Sequence, residues 1–460
     1  DLKLAVLGGG GVRSPFLAKS LALGAEATGI TETVFMDINA QKLSLYGKIA
    51  KGIAARIAPT LRFSLTTDAE EALRDADYII TTIRAGDDDG RVFDERTALN
   101  LGVLGQETTG AGGFAMALRS VRVLRDYCEL AKRVSKPNVE MFNFTNPSGL
   151  VTQALRTMGY ERVYGVCDAP SGFFRQLKTM LGCETFTAEC FGLNHLSWFS
   201  GFQADGEDVT EKILSHPRLY KDTEMRLFNP ELIEMCEHFL PNEYLYFYYF
   251  RDRAVSSVLK SDKTRGETIR DINAHMLKEL QTMDIDNDFE AAFHCFMLHY
   301  AMREDSYFSI ESGKQRAEKF PVPTVEEYIR QPENGGYAAV ALEFIQAQHT
   351  GCPVQMVLSV PNNGALDFLR PEDVCELSCT VDRDGVHPHK VNYVPEMQKN
   401  LICTVKQYEN LTVEAIMTHN RQKAVQALTL HPLVCSYPLA EALVDAYAKQ
   451  YQEYIGAWEK

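Results

Sequence analysis

The segment Leu2–Gly11, LKLAVLGGGG, decides the fold. A short apolar run that stops abruptly at glycines suits a buried strand of a parallel sheet. Glycine lets the backbone turn tightly and approach a phosphate closely. A helix starting just beyond presents free amides and the positive end of its dipole. Ser14–Ala27 has the pattern of that helix, and Thr33–Asp37 (TVFMD) reads as a second strand ending on an acid. A carboxylate there accepts from ribose hydroxyls and repels a 2′-phosphate. Gly8, Gly9, Gly10, Gly11 and Asp37 are therefore expected to hold a dinucleotide, NAD rather than NADP. The glycines do not form a strict GxGxxG, and Asp37 lies further on than the fingerprint places its acid, so a plain tight turn is the competing reading.

Outward from this segment the rhythm repeats. An acidic helix, Asp68–Asp75, precedes the strand Tyr78–Ile83 (YIITTI). The amphipathic stretch Val121–Val134 precedes Val139–Phe144 (VEMFNF), and Arg162–Cys167 (RVYGVC) follows. Strands alternating with helices at this spacing predict an α/β fold with a Rossmann-like, doubly wound sheet at the N-terminus. After about Trp198 the pattern changes. Glu231–Phe250 is acidic and then aromatic, Thr268–Tyr300 is helix-like, Gly351–Val381 mixes short strands and turns, and Asn410–Trp458 is helical. Two domains are expected, a nucleotide-binding one over 1–198 and a helix-rich mixed α/β one over 199–460 for substrate and oligomer contacts. Phe320–Gly336, with its prolines and glycines, is expected to be a flexible loop.

The chain of 460 residues is 45% hydrophobic and 24% charged, which is a globular profile with a sizeable core. Its net charge of −15 argues against a continuous nucleic-acid surface. No apolar run is long enough to span a bilayer, and no leader-like segment is visible, so no membrane partner is expected. The eleven cysteines are scattered without a CxxC pair, which reads as reduced thiols in the cytoplasm.

Cys167, in GVCDAP, and His195, in GLNHLSW, both follow apolar strand-like runs. A thiolate and an imidazole together can hold a divalent ion and leave positions open for substrate oxygens. A buried thiol and a hydrogen-bonded structural histidine are the competing reading. His387 and His389, in VHPHKV, look like a second pair, but the intervening proline points to a surface loop.

Several segments, in order, resemble glycoside hydrolase family 4, the NAD- and manganese-dependent glycosidases. They are LAVLGGGGVRSP (4–15), IRAGDDDGRVFDE (83–95), GQETTGAGGF (105–114), NFTNPSG (143–149), CDAP (167–170), GLNH (192–195), LPNEY (240–244) and ENLTVEA (409–415). The resemblance spans essentially the whole chain. It implies that Cys167 and His195 are the metal ligands, that Tyr244 is the base, and that Arg91 and Arg265 grip a substrate 6-phosphate. It also implies that Asn146 contacts substrate, that Glu107 lies near the metal, and that Ile83 joins the cofactor-contacting set. Gly11 stands where the family usually has serine.

The implied reaction begins with hydride transfer from the sugar C3 to NAD, which acidifies the C2 proton. Tyr244 removes that proton, the C1–O bond breaks by elimination, water adds, and the hydride returns. A phenol, titrating near 10, needs a nearby cation to act as a base at neutral pH. Asp168 is placed either as the acid that protonates the leaving oxygen or as a partner that orients Cys167 or a bound water. The run Tyr244–Phe250 is otherwise ordinary aromatic packing.

The expected substrate is a phosphorylated disaccharide or glycoside, and the expected assembly a homodimer or homotetramer. CDAP resembles the 6-phospho-α-glucosidases, whereas QETTGAGGF, NFTNPSG and ENLTVEA resemble the 6-phospho-β-glucosidases and cover more of the chain. The β reading is therefore preferred and the α one is the alternative. A 2-hydroxy-acid dehydrogenase, which consumes NAD and needs no Cys/His metal pair, and an NAD sensor without activity are the rivals from other classes.

Overall fold

Leu2–Leu7 forms strand β1, and its last four residues are fully buried. In the computed structural model, which describes residues 1–306, 319–332 and 338–459, β1 lies third from one edge of the main sheet, in the middle of its parallel part. Parallel partners flank it: β2 (Ile30–Met36) on one side and β4 (Tyr78–Thr81) on the other. Strands β3 (Arg62–Thr66), β5 (Glu140–Asn143) and β6 (Val163–Gly165) complete the parallel order β3-β2-β1-β4-β5-β6. The strand order reverses between β1 and β4, and a ligand is held in the crevice beyond the carboxyl ends of the strands at that point. β3 has no counterpart in the sequence reading. It is an edge strand of half-exposed residues, RFSLT, without the apolar run that betrays its neighbours.

Helix α1 (Ser14–Thr28) follows the glycine turn, carries Pro15 in its first turn and ends on Gly29 in the left-handed conformation. Helix α2 (Asp87–Asn100) follows β4. Helix α3 (Gly110–Val134) begins eleven residues before the amphipathic stretch that announced it. Its first turn is GAGGF, and glycines there permit a close approach. A Cβ on Gly112 would lie 2.1 Å from the Gln106 carbonyl oxygen, and one on Gly113 would lie 2.6 Å from that of Thr108. Helix α4 (Asp168–Leu181) follows β6.

The second half builds a small antiparallel sheet of its own and also extends the main one. β7 (Phe186–Leu193) and β8 (Leu196–Ala204) make a hairpin. The two-residue strands β9 (Glu207–Asp208) and β10 (Leu240–Pro241) pair with β8. The late strands β11 (Val354–Pro361), β12 (Val374–Asp382) and β13 (Gly385–Pro388) then add antiparallel to β6 and extend the main sheet to nine strands among the described residues. Residue 198 lies inside β8, so a boundary there falls within a hairpin, and both portions share one sheet and one large core.

The expected helix Thr268–Tyr300 is two helices, α5 (Arg265–Gln281) and α6 (Phe289–Asp305). The acidic run between them stops one and starts the other, since the Asp288 side chain caps Ala291 N. The expected loop Phe320–Gly336 contains a helical turn, Val325–Arg330, capped by Thr324, while 333–336 lie outside the described residues. His387 lies on β13 rather than on a loop and pairs with Asp382, whereas His389 bonds Thr380 and Glu189. The two rings serve different partners and do not converge on one ion.

Candidate active site

A cavity of about 1560 Å³ opens over the carboxyl ends of β1, β4, β5 and β6. Gly8, Gly10 and Gly11 line it, and Gly9 packs beneath. Gly8 has φ +95°, and a Cβ there would lie 2.4 Å from the Thr82 carbonyl oxygen. A Cβ on Gly9 would strike that of Phe35 at 2.6 Å. The turn thus needs glycine for its own packing and presents bare backbone to the cavity ahead of α1, the arrangement a pyrophosphate requires. Asp37 Oδ2 accepts from Gly10 N at 3.0 Å and Oδ1 from Asn39 N at 2.9 Å. Each oxygen keeps a second lone pair for a hydroxyl on the cavity side. Burial pushes this carboxyl up, against the opposing pull of the two amides. Ile83 also lines the cavity, and its N–H donates to Thr145 Oγ1 at 3.0 Å, fixing the end of β4 to the NFTNP loop.

Cys167 is the N-cap residue of α4, two residues beyond β6. His195 comes from elsewhere. It sits at the tip of the β7–β8 hairpin with φ +63°, in a left-handed conformation that non-glycine residues seldom adopt. The fold brings His195 Nε2 to 3.4 Å from Cys167 Sγ. Thr108 sets which nitrogen carries the proton. Its hydroxyl donates to Gln106 Oε1 at 2.9 Å, an oxygen that also accepts from the amides of Thr108 and Thr109. With its one proton so used, Thr108 Oγ1 accepts from His195 Nδ1 at 2.8 Å. The Nε2 lone pair is left facing Cys167. Burial lowers His195 to about 4, so the ring is neutral at pH 7, as a metal ligand must be. The donor set, a thiol and a locked imidazole on the wall of a polar cavity, fits a divalent ion whose other positions are filled by substrate or water.

Tyr244 lies flat on this imidazole, with ring centroids 3.6 Å apart and planes 7° from parallel. The Asn242 side chain holds its backbone by accepting from Tyr244 N at 3.0 Å. Asp168, the first residue of α4, is half exposed on the cavity wall and pairs with Arg13 Nη1 at 3.2 Å.

Arg91 and Arg265 are both buried and both line the cavity. Glu95 joins them. Its Oε1 accepts from Arg91 Nε at 2.9 Å and its Oε2 from Gly266 N at 2.8 Å, so α2 and the start of α5 share one carboxylate. Arg265 donates to Ser306 Oγ at 2.7 Å. Glu107 Oε2 lies 2.6 Å from Arg84 Nη1 and 3.3 Å from Arg91 Nη1. Burial pushes its carboxyl up, but Arg84 and Arg91 outweigh that and hold it far below the usual range. Asn146 faces the cavity, joined to Pro147 by a cis peptide, and its carbonyl accepts from Ser120 Oγ at 2.9 Å.

The sequence reading missed Arg13, Arg84, Thr108 and Arg303. Arg303 lines the cavity, and its buried Nε has no hydrogen-bond partner among the described residues. A lone arginine carries no spacing signal. Arg13, Arg84 and Thr108 lie inside segments already quoted, Arg84 next to Ile83 and Thr108 beside Glu107, whereas nothing in the sequence marks Arg303.

A nucleotide-type turn, a Cys/His pair and a phenol stacked on that imidazole suit a cofactor-using enzyme site rather than a plain dehydrogenase site. The family 4 glycosyl hydrolase model matches residues 3–183, and the C-terminal domain model of the same family matches 190–434. The chain belongs to the family 4 glycosyl hydrolases.

Among similar proteins is the 6-phospho-beta-glucosidase BglT of Thermotoga maritima, 28% identical over 99% of this chain and 99% of that protein. The solved structure of the Thermotoga maritima 6-phospho-beta glucosidase with manganese, NAD+ and glucose-6-phosphate has a TM-score of 0.80 at 26% identity, covering 99% of both chains. A 6-phospho-alpha-glucosidase from gut microorganisms, solved with NAD and Mn2+, has a TM-score of 0.81 at 25% identity, covering 100% of both.

Proposed function

We propose that this protein hydrolyses 6-phospho-β-glucosides, using NAD and a divalent metal such as Mn²⁺. The observation that carries this reading is the stacking of Tyr244 on His195 at 3.6 Å, in the cavity that also receives the glycine turn and two buried arginines. Such a chain gains nothing from the phenol as a simple dehydrogenase, but a base beside a cation is what C2 deprotonation demands.

When bound, NAD provides a returnable hydride acceptor for the sugar C3, and the divalent ion provides Lewis-acid polarisation of the sugar oxygens. Gly8, Gly10, Gly11, Asp37 and Ile83 contact the cofactor, with Gly9 supporting the turn. Cys167 and His195 hold the ion. Arg91 and Arg265 bind the 6-phosphate with planar guanidinium groups. Asn146 orients the sugar, and Glu107 keeps Arg84 and Arg91 in place beside it. Tyr244 removes the C2 proton, and Asp168 delivers a proton to the leaving oxygen, after which water adds at C1. Asp168→Asn is expected to slow disaccharide phosphates far more than nitrophenyl glycosides, because a good leaving group needs no acid. Equal losses on both remove the acid role.

An assay with α- and β-linked 6-phosphoglycosides, with and without NAD and Mn²⁺, tests the whole reading. Turnover of the β compounds that requires both additions without accumulation of NADH supports it. Preference for α compounds assigns the α alternative, for which CDAP at 167–170 speaks. Stoichiometric NADH release overturns both.

We also propose a cytoplasmic setting and an assembly of two or four copies. All eleven cysteines are unbridged, as a reducing compartment maintains them. Leu298 and Met302, one turn apart on α6, are 44% and 50% exposed and are candidates for a subunit contact. No described helix is long and apolar enough to cross a membrane.

A further inference from the structure

Away from the Cys167–His195 pair, α5 and α6 bring a second set of metal-type donors together. His275 and Glu279 stand one turn apart on α5, and Cys295 and His299 one turn apart on α6. His275 Nε2 lies 3.0 Å from Glu279 Oε1, and His299 Nε2 lies 3.9 Å from Glu279 Oε2. One ligand atom from each of His275, Glu279 and His299 falls within 4.8 Å of the others. Zinc takes nitrogen and oxygen ligands at about 2.0–2.2 Å in a tetrahedron, whose edges are then about 3.3–3.6 Å. The 3.0 and 3.9 Å separations run to the two different carboxylate oxygens, and with all three ligand atoms within 4.8 Å of one another a rotation of the Glu279 carboxylate and of the exposed His275 side chain brings the donors to that edge length.

Two further contacts prepare the donors. His299 is 4% exposed, and its Nδ1 lies 2.8 Å from the Cys295 carbonyl oxygen. A carbonyl only accepts, so Nδ1 carries the proton and the Nε2 lone pair is turned toward Glu279. This is the support that metal-bound histidines characteristically have. The Cys295 thiol donates to Glu279 Oε2 at 3.3 Å and fixes the carboxylate plane. The two imidazoles meet at 64° rather than face to face, with centroids 5.3 Å apart. His275 is largely exposed and forms the open side, where water completes the tetrahedron.

We propose that His275, Glu279 and His299 form a second metal site, which binds zinc and clamps α5 to α6. Two imidazoles and a carboxylate suit zinc, and first-row affinities leave Mn²⁺ a poor competitor there. The clamp has a place in the architecture. α5 begins at Arg265, and Arg303 lies one turn beyond His299 on α6, so two of the arginines that line the cavity stand on the two clamped helices. The competing reading is an ordinary His–Glu pair on a helix surface.

The test is zinc binding to metal-stripped full-length Cys167→Ser, in which the other pair is disabled, read by equilibrium dialysis with metal analysis. One zinc per chain is expected. Adding His275→Ala, an exposed position whose loss leaves the fold intact, is expected to weaken zinc binding at least tenfold. Zinc should also raise the thermal midpoint of Cys167→Ser and leave that of Cys167→Ser/His275→Ala unmoved. Zinc uptake by the native chain that Cys167→Ser abolishes, or uptake that His275→Ala and His299→Asn both leave unchanged, overturns the proposal. None of these readouts uses turnover, so failure of the glycosidase reading leaves the outcome separate.

Discussion

At the scale of single residues, the site is governed by what each donor has already given away. Thr108 spends its proton on Gln106 and must accept from His195, which settles the imidazole tautomer. Thr108→Val keeps the shape and removes the acceptor. Loss of such a supporting contact typically costs about 10–100-fold in metal affinity. We expect Mn²⁺ titration of Thr108→Val to show a loss of that size with an unchanged circular dichroism spectrum, and Thr108→Ser to restore binding. Tyr244→Phe makes a sharper point. It preserves the stack on His195 and deletes the phenolic oxygen. Turnover is expected to fall by about 10²–10⁴-fold, with loss of deuterium incorporation at C2 in heavy water and NAD binding retained. Persisting C2 exchange assigns the base elsewhere. Residues of this kind were partly legible. Cys167, His195 and Tyr244 stand in ordered motifs; Arg13 and Arg84 stand in such motifs too but carry no chemical signature of their own, and Arg303, recruited from a distant helix, leaves no trace in the pattern of the chain.

At the scale of elements, legibility follows burial. The C-terminal halves of β1 and β2 and most of β4 are buried on both faces, so they read as the short apolar runs LAVL, VFM and YII that announce these strands. β3 lies at the sheet edge, half exposed, and reads as nothing in particular. The placing of His195 was also hidden. The apolar run before it predicts only a strand end, and it stands at the turn of the β7–β8 hairpin, in the smaller sheet. Gly192 makes that turn possible. It has φ +136°, and a Cβ on it would lie 2.3 Å from the Leu196 carbonyl oxygen. A backbone held in such a region costs a non-glycine residue about 1–3 kcal/mol, and the clash cannot be relieved by rotating a side chain. Gly192→Ala should therefore lower the denaturation midpoint by an amount in that range. It should also displace His195, so Mn²⁺ affinity falls together with stability. A destabilised variant that binds Mn²⁺ normally contradicts the assignment of the hairpin as the carrier of the ligand.

At the scale of the whole molecule, buried titrating groups of opposite sign set the pH range of stability. His431 is 1% exposed and packs against Tyr408 and Tyr248. Its Nδ1 accepts from Leu433 N at 3.1 Å, so the neutral ring carries its proton on Nε2, and a second proton would face an N–H donor. Burial lowers this histidine to about 3 from an ordinary 6.5. Between those values the unfolded chain binds the proton and the native one does not. The contribution of His431 is therefore complete above about pH 6.5 and is lost on acidification toward 3, at about 1.4 kcal/mol per pH unit. Asp94 and Glu376 act the other way. Burial raises each to about 7, so each favours the native state at low pH and withdraws that support as pH rises from the ordinary carboxyl range. The two tendencies overlap between about pH 4.5 and 6.5 and partly cancel, so the native profile alone is blunt. The difference between native protein and His431→Asn isolates one group, since the asparagine oxygen can still accept from Leu433 N. Denaturant unfolding from pH 7.5 to 5 is expected to show the native protein's advantage over His431→Asn shrinking by about 2 kcal/mol. A constant difference across that range means that His431 is not held neutral by its burial.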